Sequence, residues 1–337
     1  MPGNPCVIFK KPREVVVEDH AKPVPGPGEV LIRSLKTLIS TGTELTILGG
    51  RFPEKSAWAN YGKFPFVPGY DCVGMVEAAG EGVDASIVGK MVECSTPHSM
   101  YGITPVDGTH EIPDGVSAEE AVFGTIAQIV FNGVRRGNPR WGESAVVFGC
   151  GLLGQVAVQA LSFAGCLPVA AVDPAEWRLG LLPRRSNVAA INPERGNVKD
   201  RVGELTGGRM ADMVFEVTGM PSLIPSEFEV LRWGGRMVVL SSPWGKTEFD
   251  FHDLCNAPSF TIIGAHNSSH PACESYDNPW TKRRHLELFF DMIKTKQVDV
   301  KPLVSHRAAY TKAPDLYRRL LEDRSTAMGV IIEWDKA

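Results

Sequence analysis

The sequence predicts an α/β protein in which a β-rich first part precedes a doubly wound parallel sheet. β-Branched runs broken by proline and glycine turns fill the first third of the chain. From about residue 117 onward, short apolar strands alternate with helix-length segments, which is typical of a parallel sheet covered on both faces. A length of 337 residues favours two domains over one.

The first third is predicted as a series of strands. The turn cluster "AKPVPGPGE" separates two of the early ones. The predicted strands lie in the stretches "CVIF", "EVVVED", "EVLIRSLKTLI", "FVPGYDCVGMVEAAG" and "GKMVECS".

The middle of the chain begins with a predicted helix, "SAEEAVFGTIAQIVFNGVRRG", with Ser117 as its N-cap and Gly137 at its end. Predicted strands follow in "SAVVFG", "LPVAAVD", "VAAIN", "ADMVFEV", "GRMVVLS" and "FTIIGAH". After about residue 270 we expect one more helix, within "ESYDNPWTKRRHLELFFDMIKTKQ", and a last strand, "GVIIEW". These changes predict a doubly wound domain at 118–266 and a β-rich domain formed by 1–117 and 267–337.

Composition excludes several classes of protein. A net charge of −4 without Lys/Arg runs gives no reason to expect nucleic acid as a partner. The seven cysteines are scattered without a C-x-x-C pair, which favours free thiols and a cytoplasmic location. The stretch "MPGNPCVIFKKPREV" lacks the apolar core of a signal peptide, and the most apolar stretch, "SAVVFGCGLLGQVAVQALSFAG", is better explained as strand, turn and helix than as a membrane span.

A glycine-rich turn predicts a dinucleotide site. The spacing G-x-G-x-x-G lies between a predicted strand and a predicted helix, which is the context that this motif requires. Its glycines permit a tight turn, close approach of a pyrophosphate and helix–strand packing, while the free N–H groups at the helix start favour the anion. The expected contacts are Gly149, Gly151, Leu152, Leu153 and Gly154. A tight turn without a ligand is the alternative.

The end of the next strand predicts the coenzyme. Asp173 follows Gly154 by 19 positions, where a carboxylate accepts hydrogen bonds from the adenosine ribose and repels a 2′-phosphate. NAD is therefore favoured over NADP, although the nearby Arg178 could meet a phosphate. Later strand ends are expected to meet the nicotinamide half of the coenzyme, at Thr218, Ser241, Ala265 and His266. An ordinary loop histidine is the alternative for His266.

The order of elements resembles the medium-chain dehydrogenase/reductase superfamily over nearly the whole chain. The β-rich part carries "PGPGEVLIR", and its "STGTEL" and "VPGYDCVG" are most similar to the bacteriochlorophyllide a dehydrogenase-related branch of zinc-type alcohol dehydrogenase relatives. The resemblance implies a GroES-like catalytic domain, a Rossmann coenzyme domain, an active-site cleft between them and a homodimer. One departure is "LLPRRSNVAAINP", where we expect a helix to end early at Pro183.

The zinc ligands of that family are missing. The family's Cys, His and third-ligand positions correspond here to Thr41, to Tyr70, and to Phe123 or Gly124. Zinc prefers thiolate, imidazole or carboxylate, and the family's four-Cys loop is absent as well. We therefore expect no zinc, with an unusual site formed by Glu44, Asp71 and His98 as the alternative.

The resemblance assigns catalytic candidates to the same segments. Tyr70 stands at the zinc-binding His position, and its hydroxyl is either a substitute electrophile or a plug bonded to Glu44. Thr43 matches the family's proton-relay hydroxyl, or is simply a turn residue. Glu44 and Asp71 match acidic positions beside the metal; they are candidates for acid/base work or for salt bridges.

Aromatic residues near these segments are candidates for a small-molecule pocket, because such sites are mostly apolar with few polar groups. The candidates are Thr41, Trp58, Tyr61, His98 and Trp280. The alternatives are packing against the carboxyl-terminal helix for the aromatic residues, a structural role for His98 and a small filler at Thr41.

The sequence therefore predicts a zinc-independent, NAD-dependent oxidoreductase that interconverts a secondary alcohol and a ketone. An NADPH-dependent enoyl or quinone reductase is an alternative, and a non-catalytic NAD(H)-binding sensor or structural protein is a second one. The expected partner is a small-molecule substrate rather than nucleic acid or a membrane.

Overall fold

The structure, a computed structural model, describes residues 3–336 and divides into two compact units. The first unit contains the residues up to Thr125 and those from Asp299 onward, and the second unit is Ile126–Val298. In the described chain, no helix combines the length and the apolar character that a membrane crossing requires.

The first unit is built on two sheets. A mostly antiparallel sheet has the order β14-β15-β3-β4-β5-β7, with β6 paired to β3, and β1 and β2 form a separate antiparallel pair. These strands are β1 (Asn4–Lys11), β2 (Glu14–His20), β3 (Glu29–Leu38), β4 (Cys72–Ala79), β5 (Met91–Cys94), β6 (Tyr101–Pro105), β7 (Thr109–Glu111), β14 (Val304–Ala309) and β15 (Gly329–Glu333). The strands predicted for this part are confirmed, except that "FVPGYDC" becomes strand only at Cys72.

Short helices complete the first unit. They are α1 (Thr43–Gly49), α2 (Ala57–Tyr61), α3 (Ala118–Ala121) and α10 (Ala313–Glu322). The buried residues of α1 and α10 join one hydrophobic core with Phe9 and Trp334. Helix α10 contributes the fully buried Tyr317, whose ring meets Phe9 edge to face at 5.0 Å. The carboxyl-terminal segment is therefore part of the core on which the site of this unit rests.

The second unit holds a six-stranded parallel sheet of order β10-β9-β8-β11-β12-β13. Its strands are β8 (Ala145–Phe148), β9 (Val169–Val172), β10 (Val188–Ile191), β11 (Ala211–Glu216), β12 (Leu231–Val239) and β13 (Thr261–Gly264). The strand order reverses between β8 and β11, which makes this a doubly wound sheet with a switch point beside β8. The predicted fold class, a β-rich GroES-like part with a Rossmann parallel sheet, is confirmed.

One helix of the second unit precedes its first strand, and the others follow strands of the sheet. They are α4 (Gly124–Gly137), α5 (Leu152–Phe163), α6 (Glu176–Leu179), α7 (Val198–Leu205), α8 (Ile224–Glu227) and α9 (Lys282–Lys294). The helix predicted from Ser117 to Gly137 is two helices, α3 and α4. Ser117 does cap α3, with a reciprocal bond to Glu120. Helix α6 ends before Pro183, as the sequence analysis expected, because proline interrupts a helix.

The chain returns to the first unit later than the sequence suggested. We expected the β-rich domain to resume at 267, but residues 267–298 belong to the second unit. The reason is packing: Phe131 of α4 contacts His285 and Phe289 of α9, with ring centroids 6.2 and 6.3 Å apart. A polar, mixed composition after residue 270 gave no sign of this apolar contact.

Candidate functional site

The glycine-rich turn lies between β8 and α5 with the geometry that a pyrophosphate needs. Gly149 has a φ of 95°, and a Cβ on Gly154 would lie 1.8 Å from the carbonyl oxygen of Gly149. At Gly151, the first residue before α5, a Cβ would meet no described atom within 4 Å. Two glycines are thus required by the fold, whereas Gly151 leaves open space at the start of the helix, where N–H groups favour an anion.

Asp173 lies at the end of β9 and is 4 % exposed. Its Oδ2 accepts the Cys150 N–H at 2.9 Å, and its Oδ1 accepts the Ala175 N–H at 2.8 Å. Arg178 Nη1 lies 3.6 Å from Oδ2. The carboxylate therefore fixes the glycine turn and pairs with Arg178, in addition to its expected place beside the ribose.

Glu216 organises the next strand ends, and the sequence analysis missed it. The carboxylate is fully buried, and its Oε1 accepts the N–H and the hydroxyl of Thr218, both at 2.7 Å, and the Gly219 N–H at 2.8 Å. Its Oε2 accepts the Ser241 hydroxyl. The predicted contacts Thr218 and Ser241 are thus joined through one carboxylate. An acid at the end of the apolar strand "ADMVFEV" was the available signal.

A second buried acid, Glu227 of α8, lies close enough to Glu216 for the two charges to repel. Neither carboxyl oxygen of Glu227 has a hydrogen-bond partner among residues 3–336. Burial, and then the charge of Glu216, raise the pKa of Glu227 to about 9. Glu227 is therefore protonated at neutral pH.

The remaining predicted coenzyme residues follow β13. Ala265 is buried, whereas His266 is exposed and caps a short turn, its Nδ1 accepting the Ser268 N–H at 3.2 Å. The carbonyl oxygen of His266 accepts a bond from Asn132 Nδ2 at 3.2 Å.

In the first unit, the Tyr70 hydroxyl bonds to other hydroxyls rather than to Glu44. It donates to Ser40 Oγ at 2.5 Å and is also hydrogen-bonded to the Thr43 side chain. Burial, and then the charge of Asp71, raise the pKa of Tyr70, while the bonds to Ser40 and Thr43 act in the opposite direction. Tyr70 is therefore a neutral phenol, and the Tyr70–Glu44 bond of the plug alternative is absent from its described contacts.

Glu44 is the centre of a buried network. Its Oε1 accepts the Ser40 N–H at 3.0 Å, its Oε2 accepts the Tyr317 hydroxyl, and His98 Nε2 lies 3.2 Å from Oε2. Glu44 and His98 are both almost completely buried. We expected Glu44 to be an acid/base or to pair with an Arg; its described partners are instead a histidine, a tyrosine and a backbone N–H. Tyr317, 273 positions away in sequence, was not predicted.

Asp71 is fully buried, and its charge acts on Glu93, an acid that the sequence analysis did not name. Burial, and then the charge of Asp71, raise the pKa of Glu93 well above its ordinary value. The Thr125 hydroxyl lies between Tyr70 and Glu93, 3.2 Å from the Tyr70 carbonyl oxygen and 3.5 Å from Glu93 Oε1. A neutral Glu93 beside Asp71 allows both carboxyl groups to be buried.

The three positions that correspond to zinc ligands do not fit zinc. Thr41 offers a hydroxyl, and its carbonyl oxygen accepts a bond from Arg324 at 3.0 Å. Tyr70 is a neutral phenol, and Phe123 is a fully buried hydrocarbon. Residues 3–336 contain no group of three or more His, Cys, Asp or Glu side chains arranged to hold a metal ion. The donor set therefore differs from the thiolates, imidazoles and carboxylates that zinc prefers.

The predicted pocket residues lie in both units. Trp58 stacks on Phe52 with centroids 6.4 Å apart, and Tyr61 is 55 % exposed and meets Phe66 edge to face at 5.5 Å. Trp280 lies in the second unit, stacked on His285 at 5.4 Å. Trp58 thus packs against Phe52 and the core of the first unit, Tyr61 packs against Phe66, and Trp280 belongs to a separate cluster in the second unit.

A GroES-like unit and a doubly wound sheet with a glycine turn define a nicotinamide-dependent oxidoreductase. Comparisons with known proteins agree. The model of the alcohol dehydrogenase GroES-like domain matches residues 26–131, and that of the zinc-binding dehydrogenase matches residues 153–279. The chain therefore belongs to the alcohol dehydrogenase-like, medium-chain dehydrogenase/reductase superfamily, as the sequence analysis inferred.

Characterised relatives are dehydrogenases. D-guloside 3-dehydrogenase of Escherichia coli K12 is 26 % identical over 72 % of this chain and 75 % of its own length. L-threonine 3-dehydrogenase of Pyrococcus furiosus is 26 % identical over 85 % of each chain.

Solved structures share the fold at lower identity. ECK1772 of Escherichia coli, an oxidoreductase/dehydrogenase of unknown specificity, has a TM-score of 0.83 at 19 % identity and covers 98 % of this chain and 99 % of its own. The rspB alcohol dehydrogenase of Escherichia coli CFT073, solved with NADH, has a TM-score of 0.82 at 17 % identity, with the same coverage.

Proposed function

We propose that the protein is a zinc-independent, NAD(H)-dependent oxidoreductase that interconverts a secondary alcohol and a ketone. The observation that carries the proposal is the replacement of the zinc-ligand set by a hydroxyl cluster, in which Tyr70 is held by Ser40 and Thr43. When bound, NAD supplies the hydride acceptor, and NADH the hydride donor.

The second unit binds the coenzyme in this proposal. The open N–H groups at Gly151 and Leu152 receive the pyrophosphate, and Asp173 accepts hydrogen bonds from the ribose. Glu216 holds Thr218 and Ser241 in fixed positions at the ends of β11 and β12. The buried carboxylate of Asp173 favours NAD over NADP, because a 2′-phosphate would add negative charge beside it.

The first unit handles the substrate oxygen. In ketone reduction, Tyr70 donates a hydrogen bond and then its proton to the carbonyl oxygen, and the Ser40 and Thr43 hydroxyls stabilise the charge left on the phenol oxygen. In alcohol oxidation the same atoms accept the proton. Glu44 does not touch the substrate in this scheme; it fixes Ser40 through the backbone N–H.

The proposed substrate is a polyol, a sugar or another small alcohol with polar neighbours. This class is supported by the names of relatives and of a structural neighbour, which include D-guloside 3-dehydrogenase, L-threonine 3-dehydrogenase and 2R,3R-butanediol dehydrogenase. Trp58 and Tyr61 offer an aromatic surface on which the carbon face of a sugar can pack.

We propose a homodimer formed through β13. This strand lies at the end of the strand order, and its Ile262 is 44 % exposed, so that a second copy can continue the sheet. A cytoplasmic location remains a prediction from the scattered cysteines.

The test is an absorbance assay at the NADH band on metal-stripped protein, with NAD and NADP, over a panel of polyols, sugars and simple secondary alcohols. We expect turnover with NAD that neither chelator nor added zinc changes. Activity that disappears with chelator and returns with zinc contradicts zinc independence. A strong NADPH preference with conjugated alkenes favours the enoyl reductase instead, and NADH binding without any turnover favours a sensor.

A further inference from the structure

The segment after β13, residues 265–270, is held by side chains from two helices. We call it the β13 loop. Asn132 of α4 donates to the carbonyl oxygen of His266 at 3.2 Å and to Ser269 Oγ at 2.8 Å. Ser269 Oγ in turn donates to the His266 carbonyl oxygen at 2.7 Å. Both bonds from Asn132 fix the loop at the carboxyl end of a parallel strand, where ligands of such sheets bind.

A second attachment is a chain of hydrogen bonds through two imidazoles, called here the histidine chain: Arg135, His285 and His270. His270 Nδ1 lies 2.8 Å from the Asn267 carbonyl oxygen and must donate to it. Arg135 Nε donates to His285 Nε2 at 3.1 Å, so that His285 carries its proton on Nδ1. That proton is donated to His270 Nε2 at 2.9 Å. The chain fixes one tautomer for each ring.

The histidine chain works only with neutral rings. A proton on His270 Nε2 would place two donors against each other, and a proton on His285 Nε2 would face the Arg135 donor. Three cations act on the pKa values of the rings: Arg135 from α4, with Lys282 and Arg284 from α9. Burial, and then the charges of His270, Arg135 and Arg284, lower the pKa of His285 to about 3; burial, and less strongly Lys282, lower the pKa of His270.

The side chain of Trp280 packs against the histidine chain. Trp280 stacks on His285 with an interplanar angle of 19°. The Cζ of Arg135 lies 3.0 Å and that of Arg284 lies 4.2 Å from the centre of a Trp280 ring. Trp280 therefore holds both Arg135 and His285 in the orientation that their hydrogen bond requires, a role different from the pocket wall that the sequence predicted.

We propose that Arg135, His285 and His270 are positioning residues, which hold the β13 loop in the shape that receives the nicotinamide half of the coenzyme. This inference rests on the proposed coenzyme site, since Ala265 and His266 of the loop are its expected nicotinamide contacts. In this proposal the histidine chain acts through the β13 loop. It makes coenzyme affinity depend on pH, because the loop loses one of its two attachments when His270 takes up a proton.

The experiment measures NADH binding to the full chain by calorimetry, from about pH 5.5 to about pH 8. His270→Ala and His285→Phe interrupt the histidine chain. His270→Gln keeps one donor and one acceptor but takes up no proton. His306→Gln, at an exposed histidine of the first unit, is the matched control.

At about pH 7.5, we expect interruption to raise the NADH Kd about tenfold, the equivalent of one good hydrogen bond, while His270→Gln and the control bind as the unaltered protein does. As the pH falls through the lowered pKa of His270, the affinity of the unaltered protein and of the control falls, and that of His270→Gln does not. His270 is half-buried, so that His270→Ala carries the test if His285→Phe does not fold.

Two results overturn the proposal while the coenzyme site stands: an unchanged Kd in the folded interrupting variants, or an acid fall that persists in His270→Gln. Failure of the unaltered protein to bind NADH at any pH is a different result. It overturns the proposed function, and the positioning role with it.

Discussion

The two units hold their site residues by different means. In the second unit the glycine turn and the strand ends are shaped by backbone, with Asp173 and Glu216 each accepting N–H groups of the turns that they close. In the first unit the Glu44 carboxylate accepts the nearby Ser40 backbone N–H and contacts the side chains of His98 and Tyr317 from distant parts of the chain. The site residues of the second unit are therefore held mainly by local backbone groups, whereas those of the first unit depend on side chains that only the tertiary fold brings together.

The largest effect that distinguishes the sites of the two units is expected at the glycine turn of the second unit. Gly154→Ala places a Cβ 1.8 Å from the Gly149 carbonyl oxygen, so the turn must open; we expect loss of NADH binding and a loss of stability of about 3 kcal/mol. Gly151→Ala meets open space, so the melting temperature stays unchanged while NADH binding is lost. Calorimetry and thermal unfolding of both variants measure the contrast. A normal NADH affinity in Gly151→Ala contradicts the placement of the pyrophosphate.

In the first unit, the corresponding change is Glu44→Gln. It leaves His98 without its buried carboxylate partner, so we expect a loss of about 3 kcal/mol in the free energy of unfolding, measured by urea titration. Glu322→Gln, an exposed acid of α10 beside Arg318, is the control and should change stability by about 0.5 kcal/mol or less. A Glu44→Gln variant as stable as the control, but inactive, would restore a direct acid/base role for Glu44.

A smaller effect is expected at Glu227, the buried acid of α8. The folded-state pKa of Glu227 is raised to about 9, so the folded protein retains a proton that the unfolded chain releases above its ordinary pKa of about 4.5. Stability is therefore expected to fall as pH rises from about 4.5 to about 9, by at most about 1.4 kcal/mol per pH unit from this group. Glu227→Gln removes that slope. Unfolding measured at about pH 5.5 and about pH 8 checks it, and equal slopes in both proteins reject the assignment.

Much of the fold was predictable, because it depends on local patterns. β-Branched runs and turns predicted the strands, and the G-x-G-x-x-G spacing predicted the turn that Gly149 and Gly154 form. The cap at Ser117 was likewise predicted from its neighbours alone, and it was confirmed. Local signals failed where packing decides: the apolar contact between α4 and α9 placed residues 267–298 in the second unit.

The first unit's site was predictable only as a set of positions. Tyr70, Thr43 and Glu44 were identified by their alignment with a family pattern, but their partners come from elsewhere in the chain. Ser40 begins the stretch "STGTEL" but was not named as a candidate, and Tyr317 carries no motif; only the tertiary fold brings them to the Tyr70 and Glu44 oxygens. Glu216 was missed for another reason: its buried carboxylate serves neighbouring backbone, which a search for coenzyme contacts does not consider.

The central claim is that the Tyr70 hydroxyl replaces the metal as the group that meets the substrate oxygen. The measurement that tests it most directly is kcat of metal-stripped Tyr70→Phe with the best alcohol of the panel, beside the NADH Kd of the same variant. The variant keeps the ring that fills the site, so the account predicts a normal NADH Kd and a fall in kcat of about 10²- to 10³-fold. Full turnover in Tyr70→Phe would show that the hydroxyl does not act on the substrate oxygen, and would leave Tyr70 as a plug.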